Sequence, residues 1–222
     1  LNEAERIKDL ICHLRDNAHA VPIEIIVVDG GSKDNTKDIA KSQGAIVYSC
    51  SIASRPAQMN LGASHAHADV LYFIHADALP PDNYTIAIIN ALKKAQFGCF
   101  RFRFESNRWT LKINAFFTRL PLMICRGGDQ SLFIKRALFD RVGGFDESHV
   151  VMEDYDIIRR GRRLGKFMVI PEDVVVSARK YDENSYTRVN LSNLVVFLLY
   201  YAQVNPKKLK TIYTRMLNHP KF

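Results

Sequence analysis

The chain reads as an α/β protein: a mostly parallel sheet flanked by helices, followed by a C-terminal helical appendage. Three observations carry that expectation. Short runs of branched and aromatic residues alternate with helix-period segments through the first half. Two of the runs, residues 23–28 and 70–74, end abruptly in an acid and turn residues. The last stretch, residues 186–217, keeps a helical pattern that is broken only near Asn205-Pro206.

The elements follow in order. Asn2-x-x-Glu5 has the spacing of a capping box, opening a helix with Ile7, Leu10, Ile11 and Leu14 as its apolar stripe. Strand 23–28 comes next and ends in Asp29-Gly30-Gly31-Ser32, where glycine permits a turn with positive φ. Asp34-Asn35-Thr36 can cap a helix over 36–43, stopped by Gly44. A strand-like run at 45–49 precedes a helix at 56–66, where Pro56 suits the first turn. Strand 70–74 and a helix at 83–95 complete the alternating half. Beyond it, residues 99–104 alternate Phe with Arg as a half-buried strand does. A helix at 107–120, a strand at 130–134, a helix at 136–142 ended by Gly143-Gly144, and a helix at 154–164 stopped by Gly165 come next. Short strands at 167–170 and 174–177 precede the appendage.

A formal charge of +8 invites an anionic partner. The cations are dispersed, with two clusters: Arg159-Arg160-Gly161-Arg162-Arg163 with Lys166, and Lys207-Lys208-Leu209-Lys210. These are solvated helix faces, or they attract lipid headgroups or phosphorylated substrates. No basic-aromatic stacking platform is present, so nucleic acid is not an expected partner. Four cysteines lie tens of residues apart without a C-x-x-C pair, which argues against disulfides and zinc and fits a reducing cytosol. The most apolar stretch, 194–202, falls short of the roughly 20 residues a bilayer span needs. The expected location is the cytoplasm, or the inner face of the membrane.

Acids at strand ends carry the chemistry. In open α/β sheets, ligands collect beyond the carboxyl ends of the strands. Asp29 there is a turn residue or a ligand-binding acid, and Asp77 is a loop acid before Pro80-Pro81 or a metal ligand. Glu153-Asp154 opens a helix, where the dipole favours acids and where a carboxylate can also serve as general base. Arg55 is a loop cation or a nucleotide contact, and Gly127-Gly128-Asp129-Gln130 is a turn or a ligand-approaching loop. His65 and His67, two apart on a helix, share no face and make no metal site. Asp29, Arg55, Asp77 and Asp154 are expected to line one cleft.

Together these segments resemble the family 2 glycosyltransferases. The matching stretches are Val27-Val28-Asp29-Gly30-Gly31-Ser32-x-Asp34-x-Thr36 and Arg55-Pro56-Ala57-Gln58-Met59-Asn60-Leu61-Gly62-Ala63. His75-Ala76-Asp77 follows in place of Asp-x-Asp, then Val142-Gly143-Gly144-Phe145-Asp146-Glu147, and Glu153-Asp154 with its Arg-rich helix. The combination covers most of residues 1–180 and looks closest to a bacterial subgroup with His-Ala-Asp and Gly-Gly-Asp-Gln loops. The resemblance implies a GT-A fold, Rossmann-type, over residues 1–180, with a helical extension at 181–222. It implies an inverting enzyme that moves a sugar from a nucleotide-diphosphate sugar to an acceptor hydroxyl. Asp29 would bind the base or ribose and Arg55 would lie against the base. Asp77 would hold Mg²⁺ or Mn²⁺, Asp154 would be the base, and Glu153 would support it. Gly31, Asn60, His75, Asp129, Gln130 and Arg179 complete the implied substrate-binding set, with Lys180 as an alternative to Arg179 at the diphosphate. The acceptor would be lipid-linked or a saccharide, and the C-terminal helices would touch a membrane or a second copy.

The family opens with a strand ending in a short Asn-Glu turn, whereas this sequence starts at Leu1-Asn2-Glu3. About ten further residues are therefore expected upstream, as a strand lying between 23–28 and 70–74. The rival functions are a nucleotidyltransferase, which would need a Gly-rich basic phosphate loop, and a catalytically silent nucleotide-binding module of the same fold. A Rossmann dehydrogenase is disfavoured, because no G-x-G-x-x-G follows a strand.

Overall fold

The computed structural model describes residues 1–120, 122–127 and 130–218. Its first helix, α1 (Ala4–Asp16), buries Ile7, Leu10, Ile11 and Leu14 as the periodicity predicts. The expected capping box does not form. Asn2 sits at φ 55° and accepts from the Lys33 backbone N–H, while the free N–H groups of Glu3 and Ala4 donate to Thr36 Oγ1 and Asp34 Oδ2. A distant loop thus satisfies the helix start. Asp34 also accepts from the Thr36 backbone N–H at the start of α2 (Thr36–Ser42), while Asn35 at the N-cap position gives no side-chain bond.

Strands β1 (Ile26–Asp29) and β2 (Ile46–Ser49) form a parallel pair. Helix α3 (Arg55–His65) leads to β3 (Val70–Phe73), then a two-residue strand β4 (Ala78–Leu79) and α4 (Tyr84–Leu92). The second half comprises β5 (Phe97–Phe104), α5 (Trp109–Phe117), β6 (Leu132–Lys135), α6 (Arg136–Val142), α7 (Glu153–Gly161) and β7 (Phe167–Val176). Three helices close the chain: α8 (Arg179–Glu183), α9 (Tyr186–Tyr201) and α10 (Pro206–Met216).

The main sheet has five strands in the order β3-β6-β5-β7-β4. It is mixed, which corrects the expectation of a mostly parallel sheet. β6 lies antiparallel to both β3 and β5, β7 is parallel to β5, and β4 is antiparallel to β7. Hence β3, β5 and β7 all run one way, as the alternating pattern implies. β6 enters between two of them in the opposite sense because α5 and a long loop, not a βαβ crossover, deliver it. Among the described residues β1 pairs only with β2, and β3 only with β6. Packing links the two sheets, with Ile25 against both the β3 side and the α1–α2 side of the core.

Side chains alternate across β6. Phe133 packs with Tyr84 and Ile88 of α4 on one face, while Leu132 and Ile134 pack with α6 and α7 on the other. A sheet covered on both faces reads as a continuous apolar run, which is why β3 and β6 carry so little polar alternation. β7 is one strand where the sequence suggests two. Pro171 has no N–H to donate, so residues 171–172 bulge out, and the register passes from Phe100↔Ile170 to Arg101↔Asp173.

The β5–β7 contact depends on Gly98. A Cβ there would lie 2.1 Å from the Met168 carbonyl oxygen and 2.5 Å from the Phe133 ring. Neither neighbour can retreat without opening the sheet. Gly98→Ala is expected to lower unfolding stability by on the order of 3 kcal/mol, read from urea midpoints at unchanged m-value.

Candidate active site

The shared direction of β3, β5 and β7 brings several chain ends to one edge of the sheet. His75 and Asp77 follow β3, Phe102 and Phe104 close β5, Ser177 and Arg179 follow β7, and Gly127 precedes β6. All line a single cleft of about 630 Å³. Arg55 at the start of α3 and Glu153-Asp154 at the start of α7 form a second wall. Asn114 and Phe117 of α5, with Asn190, Asn193, Leu194 and Phe197 of α9, form a third.

The entry to α7 is strained. Met152, which also lines the cleft, holds a left-handed backbone at φ 71°, a conformation that costs a non-glycine residue on the order of 1 kcal/mol or more. Both acids then fall in the first turn of α7, where the helix dipole favours negative charge. Both are buried. Glu153 Oε1 lies 3.7 Å from Arg55 Nη1. Arg55 therefore faces the acid pair at the start of α7. One turn on, Asp156 is also buried and pairs with Arg159 (3.2 Å) and Arg160 (2.6 Å), and the Tyr200 hydroxyl donates to it. Burial and the Asp156 charge push the Tyr200 phenol up to about 12.

On the opposite side, Arg179 Nη2 lies 2.7 Å from Glu3 Oε2 and 3.4 Å from Asp77 Oδ2. Burial alone would push this guanidinium down, but the two carboxylates outweigh it and hold Arg179 above its usual value. Lys180 lines the same cleft, with its ammonium 2.5 Å from the Tyr213 hydroxyl.

Arg55, Asp77 and Asp154 thus share one cleft, and His75, Glu153 and Arg179 join them. Asp29 does not line it. Its carboxylate is buried in its own turn and accepts the Gly31 and Ser32 N–H groups at 2.9 Å and the Ser32 hydroxyl. Gly31, at φ +101°, makes that turn possible. Asn60 is also occupied elsewhere: its amide bridges the Phe145 backbone and Glu147, tying α3 to the loop after α6. Gln130 is buried beside Ser131, which has φ 51°. Neither of its amide atoms has a hydrogen-bond partner among the described residues. Asp129 lies outside the described residues.

Sequence reasoning missed Glu3, Met152 and Asp156. For Glu3 the Asn2-Glu3 pair was the available signal. Nothing local marks Met152, because left-handed methionine has no sequence signature. A further cluster lies apart from the cleft walls. Ligating atoms of Asp146, His149 and Asp156 lie within 4.8 Å of one another. The charge of Asp156 is already matched by Arg159 and Arg160.

Residues 1–145 match the family described as Glycosyl transferase family 2, and the chain belongs to that family. A search of the curated proteins gives no significant match. Among solved structures, the chain is similar to mannosyltransferase PcManGT from Pyrobaculum calidifontis, in complex with GDP-Man and Mn²⁺. Identity is 20%, the match covers 96% of this chain and 65% of that one, and the TM-score is 0.64. It is also similar to glucosyl-3-phosphoglycerate synthase from Mycobacterium tuberculosis, in complex with Mn²⁺, UDP and glucosyl-3-phosphoglycerate. There identity is 18%, coverage 88% and 76%, and the TM-score 0.62. A third match is S. aureus TarS 1–349 in complex with UDP-GlcNAc, at 13% identity, coverage 97% and 68%, and a TM-score of 0.63. The chain thus spans about two thirds of the length of PcManGT. The three share the GT-A fold with this chain.

The Asp29 turn has a pH consequence. Burial would raise this carboxyl, but the Ser32 and Gly31 hydrogen bonds win and hold it below its ordinary 3.8. A depressed folded pKa means the stabilisation is complete above that ordinary value and is lost as pH falls through the folded one. Asp29→Asn is expected to be less stable than wild type at neutral pH. The gap between their melting temperatures should narrow as pH drops below about 3.8. A gap that stays constant down to pH 2.5 would contradict the assignment.

Proposed function

We propose that the chain is a metal-dependent, inverting glycosyltransferase that takes its sugar from a nucleotide-diphosphate donor and passes it to an acceptor hydroxyl. The observation that carries this reading is the meeting of Asp77, Arg179 and Glu153-Asp154 in one cleft at the strand ends. The cleft thereby offers both groups for a diphosphate and a base.

The donor-side residues fit a hard divalent cation. Asp77 and Glu3 converge on a single guanidinium, so that point in the cleft already demands positive charge. Asp77 would hold Mg²⁺ or Mn²⁺ through its carboxylate, the hard oxygen donor that suits either ion. When bound, such an ion supplies charge stabilisation for the departing diphosphate. The complexes of PcManGT with GDP-Man and Mn²⁺, and of the mycobacterial synthase with UDP and Mn²⁺, support the choice of donor and metal.

This chain's own residues do the rest. Arg179 sits 3.4 Å from Asp77 and can turn to the phosphates once a cation relieves it of that carboxylate. Asp154 takes the proton from the acceptor hydroxyl as its oxygen attacks the anomeric carbon. Glu153, paired with Arg55, fixes the start of α7 beside it. One displacement with attack opposite the leaving group inverts the anomeric centre.

Two variants separate the roles. Asp77→Ala is expected to lose metal-dependent binding of nucleoside diphosphates, measured by calorimetry across UDP, GDP and TDP. Asp154→Asn should keep that binding and lose roughly 10²-fold or more in transfer. Equal loss of binding in the two variants would contradict the assignment.

A further inference from the structure

Two helices carry apolar stripes that face solvent. On α5, Trp109, Ile113 and Phe116 follow the i, i+4, i+7 spacing of one face, and Leu120 lies just past its end. Trp109 is 71% exposed and Phe116 56%. On α9, Leu191, Leu194, Leu198 and Tyr201 form a second stripe, with Leu191 and Leu198 each 57% exposed. The opposite side of α9, Val189, Ser192, Val196 and Tyr200, is the buried one. Leu191, Leu194 and Leu198, which read as a core-facing stripe from periodicity alone, therefore point outward. Exposed Leu122 and Ile124 lie in the segment after α5.

These pieces form one surface. Asn114 of α5 donates to Asn190 of α9 at 3.0 Å. Phe117, Ile124, Leu194 and Phe197 meet at the mouth of the cleft. An exposed apolar area of this kind on a polar protein marks an interaction site.

Charge identifies the partner. No Asp or Glu occurs in residues 106–128 or 184–222, although the chain has 23 of them. The cations in those two stretches include Arg108, Lys112, Arg119, Arg188, Lys207, Lys208, Lys210 and Arg215. Just past α5, Arg119, Arg162 and Lys166 surround a shallow depression of about 650 Å³. Burial, and after it the nearby Arg126 charge, push Arg162 below its usual value. Asp182 matches Arg108 at 2.8 Å, but two copies docked face to face would oppose the remaining cations with no acid from either stretch. An apolar face ringed by cations, with a tryptophan at its edge, matches an anionic bilayer instead.

We propose that the outer faces of α5 and α9, with Leu120, Leu122 and Ile124, dock on an anionic lipid bilayer, and that Arg119, Arg162 and Lys166 receive lipid phosphates. The side chains at the mouth of the cleft then rest at the membrane surface.

Trp109 is the sole tryptophan, so its fluorescence reports on this face alone. Vesicles of phosphatidylcholine with about 30% phosphatidylglycerol should shift its emission to the blue, and brominated lipid in them should quench it. Pure phosphatidylcholine vesicles and inorganic phosphate should do neither. The double variant L191Q/L198Q, which leaves Trp109 in place, should weaken partitioning about tenfold. R119E/K166E should remove most of the salt sensitivity of binding. I46Q/I52Q, which changes two exposed residues elsewhere, is the control for general loss of apolar surface. Three results would overturn the proposal. One is no shift and no co-sedimentation with anionic vesicles at low salt. Another is equal weakening by L191Q/L198Q and I46Q/I52Q. The third is a blue shift that rises with protein concentration in the absence of vesicles, which would assign the face to a second copy.

Discussion

The common direction of β3, β5 and β7 is the constraint on which the rest depends. Had β7 run the other way, Asp77 and Arg179 would sit at opposite ends of the sheet. The antiparallel β6 serves the same edge, since its leading residues, not its trailing ones, arrive there. Gly98 permits the close β5–β7 approach, and the bulge at Pro171 lets a ten-residue strand stay in register with its neighbour. Backbone packing far from the cleft therefore determines which side chains meet inside it.

The acids in and around the cleft are matched by cations in three separate pairings. Arg179 answers Glu3 and Asp77, Arg55 answers Glu153, and Arg159 with Arg160 answers Asp156. The third pairing is closed, for Tyr200 covers it and the arginines lie within one turn of the acid. The first is open, because one guanidinium spans two carboxylates at unequal distances. That difference distinguishes a structural ion pair from a site ready to exchange its cation. It is also why we propose Asp77 rather than the Asp146–His149–Asp156 group as the metal ligand, since a divalent ion there would compete with Arg159 and Arg160.

Much of this was legible in the sequence because local signals and tertiary demands agree. The run at 70–74 ending in His75-Ala76-Asp77 gave both a strand and its site, and α6 matched its predicted bounds because Gly143 stops it in a left-handed turn. Asp77, Arg55 and Glu153-Asp154 could be proposed as partners because each closes or opens an element. The failures have physical reasons too. Strand direction in the second half depends on how a loop returns, and no residue type records it. Asp29 is expected in the same cleft as the other acids, yet it lies outside it, its carboxylate accepting from the turn that follows. The third wall of the cleft comes from α5 and α9, some 75 residues apart in sequence and joined by the Asn114–Asn190 contact. The outward stripe of α9 has the periodicity of a core stripe, so pattern alone could not orient it.

The central claim is that the cation-demanding point at Asp77 is where the donor's metal binds. Anomalous scattering from Mn²⁺ in crystals grown with UDP or GDP tests it most directly. The account predicts one Mn²⁺ peak about 2.2 Å from an Asp77 carboxylate oxygen, with Arg179 moved off Asp77 and onto phosphate. A peak between Asp146, His149 and Asp156 with Asp77 still paired to Arg179 would contradict it.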